Sequence, residues 1–267
     1  MNTPLSDFSL AKRTIVVTGG LGKLGTIFCK GLHAAGANVA IFDISAENTN
    51  AEHQVGQSVH RVDVTKRASI NAALDEIIAL WGIPHGLLNA AALDSPPDAP
   101  IDENGPFETY PVESWDRVMA VNAKGVFLTC QAVGGLMAQA GRGSIINVAS
   151  IYGALSPDQS LYEDRRKGGE AFFKPVAYSA SKSALYNLTR YLATYWAANN
   201  VRVNTVTFAG VFFNQDQGFL DRYLPKVPMG RMANPEDYVG PVIFLLSDAS
   251  RYMTGADLVV DGGFSAW

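Results

Sequence analysis

Thr14-Ile-Val-Val-Thr-Gly-Gly-Leu-Gly-Lys-Leu-Gly25 is the stretch on which the fold of this chain turns. A β-branched run suited to a buried strand ends in glycines and opens directly into a helical pattern. Leu24, Ile27, Phe28, Gly31, Leu32 and Ala35 follow at three-and-four spacing, the signature of a helix with one buried face. A tight turn alone would also use glycine. A strand before it and a helix after it add a nucleotide reading, because glycine lets the backbone approach a pyrophosphate and the helix N–H groups face its charge. Thr18, Gly19, Gly22, Lys23, Leu24 and Gly25 are the residues expected to hold it.

Outward from that loop the same cadence repeats. Gly36-Ala37-Asn38 ends the first helix, Val39 to Phe42 forms a second apolar run closing at Asp43, and Ser58 to Val62 a third closing at Asp63. Ile70, Ala73, Leu74, Ile77, Ile78 and Trp81 mark one face of the next helix, before Gly86-Leu87-Leu88 reaches Asn89. A helix over about 112–139, a strand at Ser144 to Val148, a helix bearing Tyr178 and a strand at Val201 to Thr207 continue the alternation. Asn234-Pro235-Glu236-Asp237 carries the cap, proline and acids of a helix start, and Asp257 to Val260 is the last strand. The expected fold class is α/β: a three-layer, doubly wound parallel sheet of about seven strands with right-handed crossovers, in one domain over 1–267. Asp94 to Pro111, Leu155 to Pro175 and Gly210 to Met229 read as loops over the carboxyl ends of the strands, where such sheets bind ligands.

Composition narrows the partners. The 267 residues are 48% hydrophobic, enough for a substantial core, and a net charge of −4 provides no global field for nucleic acid or an anionic membrane. Cys29 and Cys130 match neither a metal-ligand spacing nor a disulfide framework and are expected to be buried free thiols. His33, His53, His60 and His85 share no ligand spacing, so no metal is expected. No basic leader opens the chain and no run approaches the roughly 20 apolar residues of a membrane span, so the expected location is cytoplasmic.

Chemistry gathers at the strand ends. Asp43, 18 positions after Gly25, is placed to accept hydrogen bonds from an adenosine ribose and to repel a 2′-phosphate, which favours NAD. Lys23 in the glycine loop keeps NADP open. Asp63 and Val64 are expected at the adenine, and Asn89, Ala90 and Ala91 along the middle of the cofactor, unless they simply cap their strands. Tyr178 and Lys182 stand four apart on one helix face, which sets an ammonium beside a phenol and favours phenolate. Ser150 closes its strand upstream, suited to holding a substrate oxygen, and Asn122 is a polar residue within a long helix, where asparagine is a poor helix former.

With these residues in place the chain resembles the short-chain dehydrogenase/reductase family over nearly its whole length. The resemblance rests on the glycine loop, Asp63, Asn89-Ala-Ala-Ala92, Asn122, Ser150, Tyr178-Ser-Ala-Ser-Lys182, Val201-Arg-Val-Asn204, Gly230-Arg231 and Val260-Asp-Gly-Gly263. It implies a Rossmann fold, a tetramer and hydride exchange between a nicotinamide and a carbon bearing oxygen. In that scheme Tyr178 exchanges the proton, Lys182 lowers its pKa and binds the nicotinamide ribose, Ser150 orients the substrate, and Asn122 supports a proton relay through water. The chain departs from the family pattern in four places. Lys23 replaces the middle glycine, Ala90 and Ala92 stand in the Asn-Asn-Ala-Gly motif, and Phe208-Ala209 replaces Pro-Gly before Gly210-Val211. Finally, 28 positions separate Ser150 from Tyr178, about twice the usual gap. The Val211 backbone is still expected to hold the carboxamide.

The extra length bears on substrate. Arg165, Arg166 and Lys167 lie in the insertion 155–175, available to a carboxylate or phosphate if the loop folds over the pocket, or otherwise part of a solvated mixed-charge segment with Glu163 and Asp164. Ile151-Tyr152-Gly153, the insertion and the ending Asp261 to Trp267 look most like the branch associated with flagellin glycosylation and legionaminic acid synthesis. Tyr152 accordingly joins Ser150, Tyr178, Arg165 and Arg166 as an expected substrate contact. Phe212, Phe213, Phe219 and Tyr223 form either an apolar lid or core. The activity expected is NAD-dependent interconversion of a secondary alcohol and a ketone, on a sugar, polyol or anionic sugar derivative. Alternatives are an NADP-dependent ketone or 3-oxoacyl reductase, and a catalytically inactive NAD-binding sensor or scaffold.

Overall fold

The computed structural model describes residues 4–46, 55–94, 103–169 and 171–267. Seven strands form one sheet: β1 (Thr14–Thr18), β2 (Asn38–Asp43), β3 (Gln57–Arg61), β4 (Gly86–Asn89), β5 (Gly143–Ser150), β6 (Val201–Phe208) and β7 (Asp257–Val260). Their order is β3-β2-β1-β4-β5-β6-β7, and every pairing is parallel. After β3 the chain crosses to the other side of β1, so the direction of winding reverses between β1 and β4. Thr18 faces Asn89 across that junction. A crevice opens at the carboxyl ends of strands where such a reversal occurs, and both the glycine loop and the Asn89–Ala92 segment leave the sheet there.

Side chains alternate along each strand and build two cores. On one face Val16, Phe42, Leu87, Ile145 and Val203 pack with α2 (Arg67–Trp81), the helical stretch 112–139, here α3, and α6 (Val176–Trp196). On the other, Ile15, Val17, Ile41, Leu88, Ile146 and Val206 pack with α1 (Lys23–Ala34) and α8 (Val239–Leu246). Strands buried on both faces explain why they read as unbroken apolar runs. The expected faces of the first two helices hold: Phe28 and Leu32 of α1, and Ile70, Ala73, Leu74 and Ile77 of α2, are buried. Cys29 and Cys130 are buried and free, and burial pushes each thiol up to about 12.

α3 is not a uniform helix. Ala120–Gly125 and Cys130–Gly134 are π-helical, inserted between α-helical Val112–Met119, Val126–Thr129 and Gly135–Gln139. The first π segment carries Asn122 and so rotates it out of ordinary helical register.

Two stretches expected as loops contain helices. Between Leu155 and Pro175 lie a 3₁₀ turn (Gln159–Tyr162) and α5 (Glu163–Lys167), following the short α4 (Ile151–Ala154); between Gly210 and Met229 lies α7 (Gln217–Tyr223). The Asp158 and Asp216 carboxylates accept from Ser160 N and Phe219 N and cap these turns. Elements this short are below the length at which a 3.6-residue period shows. Leu161, Tyr162 and Phe172 pack against Tyr223, Val227 and Met232, so the insertion and the third loop form one small core. Asp158 pairs with Lys226 at 2.6 Å and Asp164 with Arg222 around it. The loop expected from Asp94 to Pro111 lies in part outside the described residues, as does His53.

Candidate active site

The glycine loop has the geometry of an anion cradle. Gly19 is left-handed (φ +68°), and a Cβ on it would lie 2.7 Å from Ala91 Cα; one on Gly25 would lie 2.0 Å from Gly19 O. No side chain fits either place, and α1 begins at Lys23 behind its N-cap Gly22, which leaves its first N–H groups without a side-chain cap. Lys23 is the first helical residue, exposed, with Nζ 5.1 Å from the Phe213 ring centroid. Thr18 Oγ1 accepts from Ala90 N and Ala91 N, both at 3.1 Å, and ties the end of β4 to the loop.

Asp43 sits at the end of β2, where its Oδ2 accepts from Leu21 N at 3.0 Å and Oδ1 from Ser45 N and Ser45 Oγ at 2.9 and 2.6 Å. The carboxylate is therefore held at the lip of the cradle. Asp63 Oδ1 accepts from Thr65 N and Thr65 Oγ1 and shapes the turn before α2. Val64 lies with Thr18, Asn89 and Ala91 around a shallow cleft at the strand ends. The Asn89 amide is spoken for: it donates to Asn147 Oδ1 (2.9 Å) and Cys130 Sγ (3.3 Å) and accepts from Thr129 Oγ1 (2.6 Å). Asn147 donates in turn to Thr189 (2.9 Å), stitching β4 and β5 to α3 and α6. The side chain is a buried brace, which a strand-end asparagine does not reveal until its neighbours are known.

Tyr178 and Lys182 lie on α6 beside the end of β5. Lys182 is buried, its Nζ 5.9 Å from the Tyr178 ring centroid and donating to Val148 O at 2.7 Å. Burial lowers the ammonium to about 8, opposed by Asp94. Ser150 caps α4, accepting from Tyr152 N at 3.2 Å, and its hydroxyl lies beside the Tyr178 phenol. Tyr178 itself is shifted upward, first by burial and then by the Asp94 carboxylate, with the Ser150 hydroxyl opposing. The lowering expected from Lys182 does not lead here, because the ammonium is desolvated and turned towards a carbonyl. Gly153 brings α4 against α6: a Cβ there would come within 2.8 Å of the Lys182 backbone.

Asn122 is fully buried. Its Oδ1 accepts from Leu93 N (2.7 Å), and its Nδ2 donates to Leu93 O (2.9 Å) and Ser181 Oγ (3.0 Å), while Ser181 Oγ donates to Tyr178 O. With its amide so engaged, the side chain ties the strand-β4 exit to the dyad helix.

The arginines of the insertion do not form an open anion site. Arg166 donates to Phe172 O (3.0 Å) and Gln159 O (2.7 Å) and lies over Phe173, while Arg165 stacks 4.0 Å over Phe172 and Lys167 pairs with Glu163 at 3.1 Å. Each cation serves the insertion's own fold. The cation that the insertion brings to the dyad is Lys174, with Nζ 4.8 Å from the Tyr178 ring centroid and 2.6 Å from Asp94 Oδ1. Sequence reading missed both residues. Lys174 precedes the helix across Pro175, so no helical face assigns its direction, and Asp94 meets it from 80 positions away.

The third loop divides. Phe219 and Tyr223 belong to the small core, whereas Phe212 and Phe213 are exposed. Phe212 N→Ala233 O and Ala233 N→Gly210 O fix the backbone on either side of Val211. Phe208 fills the interior, stacked 3.9 Å from Tyr238, whose hydroxyl donates to Ala209 O. Packing against Tyr238 accounts for an aromatic residue where proline is usual.

The profile of the family described as "Enoyl-(Acyl carrier protein) reductase" matches residues 23–265. The chain belongs to the short-chain dehydrogenase/reductase family. It is an enzyme of that family acting on CH–OH groups with a nicotinamide cofactor. D-threitol dehydrogenase of Mycolicibacterium smegmatis is 33% identical over 272 residues, covering 97% of this chain and 95% of the relative. A short-chain dehydrogenase from Leptospira borgpetersenii with bound NAD+ superposes with a TM-score of 0.85 at 31% identity, over 99% of this chain and 97% of that one. A gluconate 5-dehydrogenase from Burkholderia cenocepacia, in complex with NADP and tartrate, gives 0.86 at 27%, over 99% and 100%. Both forms of the cofactor therefore occur among short-chain dehydrogenases of this shape.

Proposed function

We propose that this short-chain dehydrogenase oxidises a secondary alcohol of a sugar or polyol to the ketone, reversibly, with NAD as its cofactor. The observation that carries this reading is the meeting of Ser150, Tyr178 and Lys182 at the strand-end crevice that also holds the glycine cradle and Asp43. The cradle fits a pyrophosphate because Gly19 and Gly25, where a Cβ would strike the Ala91 and Gly19 backbone, let the loop fold tightly at the start of α1, which has no side-chain cap. Gly22, Leu24 and Gly25 at the start of α1 would hold the phosphates, Asp43 the adenosine ribose, Val64 and the Ala90–Ala91 backbone the middle, Lys182 the second ribose and Val211 the carboxamide. When bound, NAD supplies the hydride acceptor and a positive charge beside the dyad.

The chain's own residues handle the proton. Ser150 Oγ holds the substrate oxygen, and Tyr178 Oη removes its proton in oxidation or returns it in reduction. Lys182 stabilises the phenolate, whose formation is otherwise opposed by burial and Asp94. Asn122 holds α6 and the Leu93 backbone in register for this exchange.

Two substrate classes compete. Resemblance to the branch of flagellin glycosylation and legionaminic acid synthesis favours an anionic sugar. The D-threitol dehydrogenase relative favours a polyol, and the engagement of Arg165 and Arg166 within the insertion supports the latter. The same family reading extends to a homotetramer, supported by the exposed, stacked Tyr191 and Tyr195 on α6, and to a cytoplasmic enzyme, which the free thiols fit. Among the described residues no helix is long and apolar enough to cross a membrane.

Initial rates with NAD and NADP on a panel of polyols test the assignment. Higher kcat/KM with NAD is expected, and Asp43→Ala should move the ratio towards NADP by about tenfold or more, since it removes a carboxylate facing the 2′-phosphate. A wild-type preference for NADP contradicts the role given to Asp43.

A further inference from the structure

The insertion's contribution to the site is a closed ion pair rather than an open cation. The Lys174 side chain is only 7% exposed, with its charge matched by Asp94 at 2.6 Å, while the Asp94 side chain remains 54% exposed. A buried ammonium beside a phenol demands such a partner, and the partner leaves the pair without net charge. Around it stand further hydroxyls. Tyr152 and Tyr162 lie side by side, and the Asp94 carboxylate acts on Tyr152, Tyr162, Tyr178 and Lys182 alike, which places all of them within its electrostatic reach.

We infer that the Asp94–Lys174 pair is a specificity device, selecting neutral polyhydroxy substrates over carboxylates at the approach to Tyr178. Its chemistry is that of diol recognition: a hydroxyl can donate to the Asp94 carboxylate while its neighbour accepts from the Lys174 ammonium. A substrate carboxylate has no proton to donate and meets Asp94 as a like charge, so it must displace Asp94 from Lys174 in order to bind. The longer segment between Ser150 and Tyr178 thus brings a reader of hydroxyls, which the arginines in its sequence do not suggest. This inference rests on the proposed alcohol oxidation and names the substrate class of that site.

The test compares kcat/KM for a neutral tetritol or pentitol with that for the aldonate of the same length, in the wild type, Asp94→Asn and Lys174→Met. Both substrates share the proton transfer at Tyr178, so their ratio isolates recognition from any change in the phenol. The wild type should favour the polyol, and Asp94→Asn should shift the ratio towards the aldonate by about tenfold or more, as expected for removing a like-charge clash. Lys174→Met, checked for retained NAD binding, should shift it the opposite way and raise KM more than it lowers kcat, which keeps the inference testable should Asp94→Asn fail to fold. A wild-type preference for the aldonate, or ratios within twofold of the wild type in the folded variants, overturns the inference while leaving polyol oxidation standing. A protein that binds NAD and oxidises neither class overturns the proposed function, and this inference with it.

Discussion

Tyr178 holds its proton tightly in the protein alone. The groups facing it are Lys182 on its own helix, Lys174 before that helix, Asp94 from the β4 exit, Tyr162 from the insertion, and Tyr186. Burial and Asp94 both raise the phenol, so alcohol oxidation, which needs the phenolate, should have kcat/KM rising with pH. Asp94→Asn removes one of the raising charges. Its profile should therefore reach the plateau at lower pH than the wild type, whereas coincident profiles contradict the electrostatic account. At this scale Tyr178, Lys182 and Ser150 were legible from helical spacing and a strand end. Asn89 was not, because its role as a brace depends on Asn147 and Thr129, and Lys174 was not, because only the fold brings Asp94 to it.

At the scale of elements, catalysis depends on how α4 and the insertion seat against α6. Gly153 is the tightest point, with Ser183 Oγ donating to its carbonyl at 2.6 Å and no room for a Cβ beside Lys182. Gly153→Ala should displace Ser150 from Tyr178 and lower kcat, with a stability loss of about 1–3 kcal/mol, the usual cost of overpacking. Kinetics and a melting curve together check this; unchanged kcat would mean that the contact does not set the register. The helices flanking the site illustrate what local sequence leaves out. α1 and α2 were legible because they span several turns with one apolar stripe, whereas α7 announces itself only through its Asp216 cap, and α5 has no side-chain cap, only the Asp158-capped 3₁₀ turn before it. The two π segments of α3 have no such signal, since the apolar spacing along 112–139 reads as one helix.

The whole molecule follows from β-runs buried on both faces and from one reversal of winding between β1 and β4. That much was legible, since alternating strand and helix patterns permit few arrangements. Assembly is a separate proposal: light scattering should give four times the 28.6 kDa chain mass, and a stable monomer at assay concentration contradicts the tetramer. The most direct measurement of the central claim is NADH formation from a panel of neutral polyols by the wild type and Tyr178→Phe, with NAD binding measured on both. Turnover of at least one polyol by the wild type, falling by about 10²–10⁴-fold in Tyr178→Phe while NAD still binds, is the predicted result. Turnover undiminished in Tyr178→Phe, or NAD bound with no secondary alcohol oxidised, would contradict it.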